Sequence, residues 1–198
     1  MPLLAFNQQL LAQAHALAAA HQAAGLPDYA AVAGAHLRHL IEHFEALVLP
    51  ATAGAVDYDS RLRDAALQAC PRLAQERFLA LHEQLDDWHA EMLDQPVQVV
   101  GRAGHQGEVG FSVASTIGRE LAFVASHTVH HFALLADHCR RHGIATPAHF
   151  GKAPATVAHE RASRAVVAIR TTVHQEFPCS TLQPTLQPTL QPTLQRAA

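Results

Sequence analysis

Two histidines four residues apart, His127 and His131 in Ser126-His127-Thr128-Val129-His130-His131, are the side chains of this sequence best spaced for chemistry. On a helix an i, i+4 pair shares one face, about 6 Å apart along the axis, so two imidazole nitrogens can hold one metal ion. A third nitrogen has a source in Gly34-Ala35-His36-Leu37-Arg38-His39-Leu40-Ile41-Glu42-His43, where His36, His39 and His43 span about 60° of a second helical face. Zinc takes such nitrogens at about 2.0–2.1 Å, and with three protein ligands it keeps a position open for a small molecule. Glu120 and His138 fall on the same stripe as His127 and His131, within about 40° of His127, whereas His130 lies off it. His138 and His142 repeat the spacing, but in the last turn, where the helix dipole favours a cationic imidazole, and they read as no site.

These side chains need helices to position them, and the apolar spacing provides several. Leu3 to Ala24 carries Ala and Leu at helical intervals and stops at Gly25-Leu26-Pro27-Asp28, with Asp28 an N-cap for a second helix from about Tyr29 to Val48, ended by Pro50. A third, long helix is expected from Asp59-Ser60 to Met92, kinked or interrupted at Pro71. Val97-Gln98-Val99-Val100 and Val109-Gly110-Phe111-Ser112-Val113 read as a hairpin or a pair of extended arms. Ser115 or Thr116 opens the helix that carries the His pair, which closes at His142-Gly143, and a short helical segment follows from about Val157 to His174. From Thr181 the chain repeats Thr-Leu-Gln-Pro, and proline at every fourth position forbids a helix. The expected organisation is a domain over 1–176 and a disordered low-complexity tail over 177–198.

Composition narrows the function. With 198 residues and 49% hydrophobic content, one domain can bury a core. The net charge is −3, and Lys152 is the single lysine, so no basic stripe is available to track phosphates and nucleic acid is not an expected partner. The three cysteines, Cys70, Cys139 and Cys179, lie far apart without CxxC spacing, which fits a reducing compartment. No secretory signal and no run of roughly 18 apolar residues is present, so a soluble, cytoplasmic protein without membrane contact is expected. Sixteen histidines make acid sensitivity an expectation.

Four ordered blocks, Gly34 to Phe44, Val56-Asp57-Tyr58-Asp59-Ser60-Arg61-Leu62-Arg63-Asp64, Gly118 to His131 and Phe150-Gly151-Lys152-Ala153-Pro154-Ala155-Thr156, resemble those of DinB-like (YfiT-like) proteins over about Pro27 to His159. The resemblance implies an all-α four-helix bundle with a small hairpin insertion before the fourth helix. It also implies a divalent metal, zinc or else nickel, iron or manganese, held by His39, His127 and His131, with His36 and His43 as rivals of His39. Where relatives often carry Gln after the His pair, this chain has Leu134 or Leu135. The function implied is a metal-dependent enzyme, either a thiol-dependent S-transferase or isomerase or a hydrolase. Its partners would be a small-molecule substrate and a low-molecular-weight thiol, and a homodimer is compatible with it. A non-catalytic metal-binding or interaction module of the same fold is the alternative. Glu120 and Glu42 are the candidates for moving protons, Glu42 being as well placed to pair with Arg38 at i, i+4. Arg119 reads as an ion-pair residue and Cys139 as a small buried hydrophobe.

Overall fold

The computed structural model describes residues 1–48 and 54–176, with side chains as far as 165. The expected stop at Pro50 and the Thr-Leu-Gln-Pro tail lie outside these residues. Two units are distinguished, Met1–Val157 and Ala158–Ala198. The first contains helices α1 (Pro2–Ala24), α2 (Ala33–Val48), α3 (Ala65–Ala69), α4 (Pro71–Asp86) and α5 (Ile117–Arg141), strands β1 (Ala55–Asp57), β2 (Pro96–Ala103) and β3 (Val109–Thr116), and a 3-10 turn over Ala90–Asp94. Helix α6 (Pro154–Glu176) begins in it and supplies the described part of the second.

Helix α1 starts with Pro2 in its first turn, where a missing N–H does no harm, and buries Leu4, Leu10, Leu11, Ala14, Leu17, Ala18 and His21 on one stripe. Gly25 ends it in the left-handed conformation, φ 60°, that only glycine takes without strain. The second helix begins at Ala33, not Tyr29. Ala31 and Val32 donate their N–H groups to the Asp28 carbonyl, so the intervening residues form turns and the Asp28 side chain does not cap α2. Gly34 sets the approach of α2 to α3, because a Cβ there would lie 2.0 Å from the Gln68 carbonyl oxygen. Gly34→Ala is accordingly expected to lower stability by about 1–3 kcal/mol, as overpacked sites do, measurable by urea unfolding.

The long third helix is instead two. Asp57 Oδ1 accepts from the N–H groups of Asp59 and Ser60 at 2.9 and 3.0 Å, holding 57–60 as a turn that competes with helix. Asp64 then caps α3 by accepting from Ala66 and Leu67, and Pro71 opens α4. The chain is not all-α. Strand β1 pairs in parallel with β2 (Val56 opposite Val99), and β2 pairs antiparallel with β3 from Pro96–Thr116 to Ala103–Val109, giving a three-stranded mixed sheet in the order β1-β2-β3. The all-α four-helix expectation is corrected on this point. The hairpin is half of a sheet, and β1 joins it because Val56 is fully buried in the core beside Val97. Helices α1, α2, α4 and α5 share that core around Phe44, Phe78 and Phe132. Thr116 at the end of β3 accepts from the Arg119 N–H and starts α5. No helix among the described residues is long and apolar enough to cross a membrane.

Candidate metal centre

Helices α2 and α5 pack together and bury Leu37, Leu40, Ile41 and Phe44 of the first and Val124, Thr128, Phe132 and Leu135 of the second. The 3.6-residue period that buries these side chains places His36, His39, His43, His127 and His131 along one edge of the seam. His39, His127 and His131 are half-buried there, and a ring nitrogen of each lies within 4.8 Å of the other two. His39 Nε2 is 2.9 Å and His131 Nε2 3.2 Å from His127 Nε2. A tetrahedral ion with bonds of about 2.0–2.1 Å sets its ligands about 3.3 Å apart, so the three nitrogens already stand near the spacing a metal imposes.

The two rivals on α2 have other work. His36 Nδ1 is 2.7 Å from His131 Nδ1, so it orients the His131 ring, and His43 donates Nδ1–H to the His39 carbonyl at 2.8 Å. One set of tautomers accommodates the four contacts of the His39, His127 and His131 ring nitrogens without a metal: Arg61 donates to His39 Nδ1, His39 and His131 both direct Nε2–H at the one lone pair of His127 Nε2, and His36 donates to His131 Nδ1. Burial holds all five imidazoles below the ordinary histidine pKa. Desolvation, with the neighbouring His43 and Arg61, pushes His39 down to about 2; desolvation and His127 push His131 down to about 3; desolvation pushes His43 down to about 4. His36 and His127 are lowered for the same first reason. Neutral rings are what a metal requires of histidine.

Arg61 is the residue of this cluster that helical periodicity could not find, since it lies in the irregular loop between β1 and α3. Its guanidinium donates to His39 Nδ1, lies 3.4 Å from His43 Nδ1 and 3.8 Å from Glu42 Oε2, and is anchored by the Tyr58 carbonyl. The candidate carboxylates do not reach the three nitrogens. Glu120, 1% exposed, accepts from Tyr58 Oη at 3.0 Å, Ser115 Oγ at 2.6 Å and Arg119 at 2.9 Å. It fixes Tyr58, whose ring stacks on His43 at 5.4 Å and whose hydroxyl is pushed up by burial and by Glu120. Glu42 accepts from Arg38 and from the Asp64 N–H, both at 2.9 Å, tying α2 to the start of α3. Arg119 pairs with Glu120 and lies over the Phe123 ring, which stacks on His127. Cys139 is buried with its thiol pushed up by desolvation, so it is no nucleophile. Of the two leucines that follow the His pair, Leu134 is exposed and Leu135 is in the core.

His39→Ala is expected to weaken metal binding more than either neighbour does, since it deletes one of three converging nitrogens. His36→Ala removes only an orienting partner of His131, a loss of about 10–100-fold, and His43→Ala less. Titration of the three variants with Zn2+ checks the order, and a greater loss in His36→Ala would reassign the ligand on α2.

No family model and no solved structure matches the chain. A protein described as FK506-binding protein 5, from Rhizopus delemar, is 27% identical to it over 117 residues, 58% of this chain and 30% of that protein. The chain thus spans about 30% of the length of the curated relative it matches. These findings, with the mixed sheet, overturn the DinB-like resemblance: the blocks that carried it are helix, strand and loop segments, Val56 and Asp57 lying in β1, of a fold that is not an all-helical bundle.

Proposed function

We infer that the chain binds one divalent metal ion through His39, His127 and His131 and uses it in a metal-dependent reaction on a small molecule, as a thiol-dependent transferase or isomerase or as a hydrolase. The observation that carries this reading is the convergence of three neutral ring nitrogens, from two helices, all within 4.8 Å of one another, with those of His39 and His131 at 2.9 and 3.2 Å from that of His127. Bound there, the ion would supply a Lewis acid that lowers the pKa of a water or thiol at an open position.

The surrounding residues divide the remaining tasks. His36 accepts Nδ1–H of His131 when His131 ligates through Nε2, the carbonyl-like role that outer partners of metal-bound histidines play. Ligation by His39 Nε2 leaves its Nδ1 protonated, and the Arg61 guanidinium then turns to Glu42 Oε2, 3.8 Å away. Arg61 in that position offers a cation to an anionic group of the substrate. The same cation opposes the metal, so Arg61→Gln is expected to tighten Zn2+ binding about tenfold, or about 1.4 kcal/mol, by removing a like charge and offering an acceptor. Weaker binding in that variant would show that Arg61 supports the ligand set.

One observation favours a metal-binding module without turnover: among the described residues both candidate carboxylates, Glu42 and Glu120, are engaged in hydrogen bonds of their own. Cobalt substitution tests the readings together. A sulfur-to-cobalt charge-transfer band on adding a low-molecular-weight thiol supports the thiol-dependent enzyme, and hydrolysis of model esters that His131→Ala abolishes supports the hydrolase. Metal binding with neither leaves the module, and no metal binding removes the whole reading.

A further inference from the structure

About two turns further along α5, some 10 Å from His131, a second group of potential ligands gathers from parts of the chain that lie far apart in sequence. Asp28, from the turn between α1 and α2, and His138 and His142, at the end of α5, each place a ligand atom within 4.8 Å of the other two. His142 Nε2 is 3.7 Å from Asp28 Oδ2, and the His138 and His142 rings are 4.5 Å apart. Behind them His21 of α1 lies parallel to His138 at 5.4 Å, with Tyr29 tilted against it at 5.7 Å.

The second observation is independent of this grouping. Five buried side-chain polar atoms lack a hydrogen-bond partner among the described residues, and four of them are here: His21 Nε2, Asp28 Oδ1, Tyr29 Oη and His138 Nε2. His21, Tyr29 and His138 are 1%, 4% and 4% exposed, so water does not reach them freely. Buried polar atoms are almost always satisfied, and a concentration of orphans marks the place of a missing partner. Its sign is given by the donors. His21 gives Nδ1–H to the Leu17 carbonyl at 2.8 Å, which fixes Nε2 as an unprotonated acceptor, and Asp28 adds a carboxylate. The negative end of the α5 dipole points the same way. A group of acceptors beside a helix C-terminus suits a cation. His142 and Asp28, with side chains 35% and 41% exposed, leave it a path from solvent.

We propose that Asp28, His138 and His142 form a second divalent-metal site that clamps the α1–α2 turn to the C-terminal end of α5. Two imidazoles and a carboxylate suit a borderline transition-metal ion such as Zn2+. The reading of His138 as a solvated, dipole-stabilised cation fails on its burial.

The test uses the full chain carrying His127→Ala and His131→Ala, which leaves this second site untouched, titrated with Zn2+ and with Co2+. One equivalent per chain is expected, together with a metal-dependent rise in melting temperature. Adding Asp28→Asn or His142→Ala, both at partly exposed positions, should each weaken that equivalent by more than the 10–100-fold typical of an outer partner. Absence of any bound equivalent would assign the orphan atoms to buried water and overturn the proposal. Binding that survives Asp28→Asn or His142→Ala would overturn the three-ligand set. The metal at His39, His127 and His131 is read separately, in Asp28→Asn alone, so either site can fail without the other.

Discussion

Replacing His127 and His131 together by alanine is expected to remove one equivalent of divalent metal per chain while the fold persists. Each histidine is half-buried at the edge of the α2–α5 seam, whereas the seam is filled by Phe44, Leu40, Val124 and Phe132. The variant therefore loses ligands without opening a core cavity. His39 alone cannot replace them, because one imidazole holds an ion through a single exchangeable bond. Sites of three or four protein ligands draw about 10–16 kcal/mol from metal binding, and loss of two ligands should weaken binding by at least about a thousandfold, or about 4 kcal/mol. Metal analysis of gently purified protein, with circular dichroism to verify the fold, measures both halves. Unchanged metal content would mean that the ion sits elsewhere. Any thiol-dependent or hydrolytic activity should vanish with the metal.

The His127–His131 pair and its helix were legible because both follow from one local rule, the 3.6-residue period. The same rule set His36, His39 and His43 on one face of α2 without choosing among them; the resemblance singled out His39, and the fold sets its Nε2 2.9 Å from His127 Nε2. What the period could not give was anything set by partners distant in the chain. Strand β1 is three residues long and owes its existence to pairing with β2, more than forty positions later, so Ala55-Val56-Asp57 carried no strand signal and the chain read as all-α. Arg61 lies in a loop shaped by the side-chain turn of Asp57 and by the Arg102 N–H donated from β2 to the Asp59 carboxylate, where no period applies. His138 and His142 were dismissed for a related reason: read along α5 alone they are two histidines at a helix end, and only the fold brings Asp28 and His21 against them. The family resemblance failed at the same boundary. Histidines at i, i+4 beside apolar residues are what any helix needs to place imidazoles along a packed seam, so such blocks specify the helices without specifying how the segments between them pair.

Acid should unfold the metal-free protein over a definite range. The unfolded chain binds protons at its histidines near pH 6.5, whereas in the folded protein burial holds His43 down to about 4, His131 to about 3 and His39 to about 2. Between those limits the unfolded state takes up protons that the native state refuses, so stability falls as pH falls. The contribution of the neutral imidazoles is complete above about pH 6.5 and is lost progressively towards pH 4 and below. His21 and His138, lowered by desolvation at the other end of α5, act in the same direction. After treatment with chelator, the melting temperature is expected to be level from pH 8 to 7 and to drop steeply from pH 6.5 to 4. Saturating Zn2+ should move the drop to lower pH, because protons must then displace the ion before the rings can charge. A melting temperature that stays level from pH 7 to 4.5 without metal would mean that the histidines along the seam are solvated and already free to titrate. In that case neither their burial nor their readiness to bind a cation could be as described.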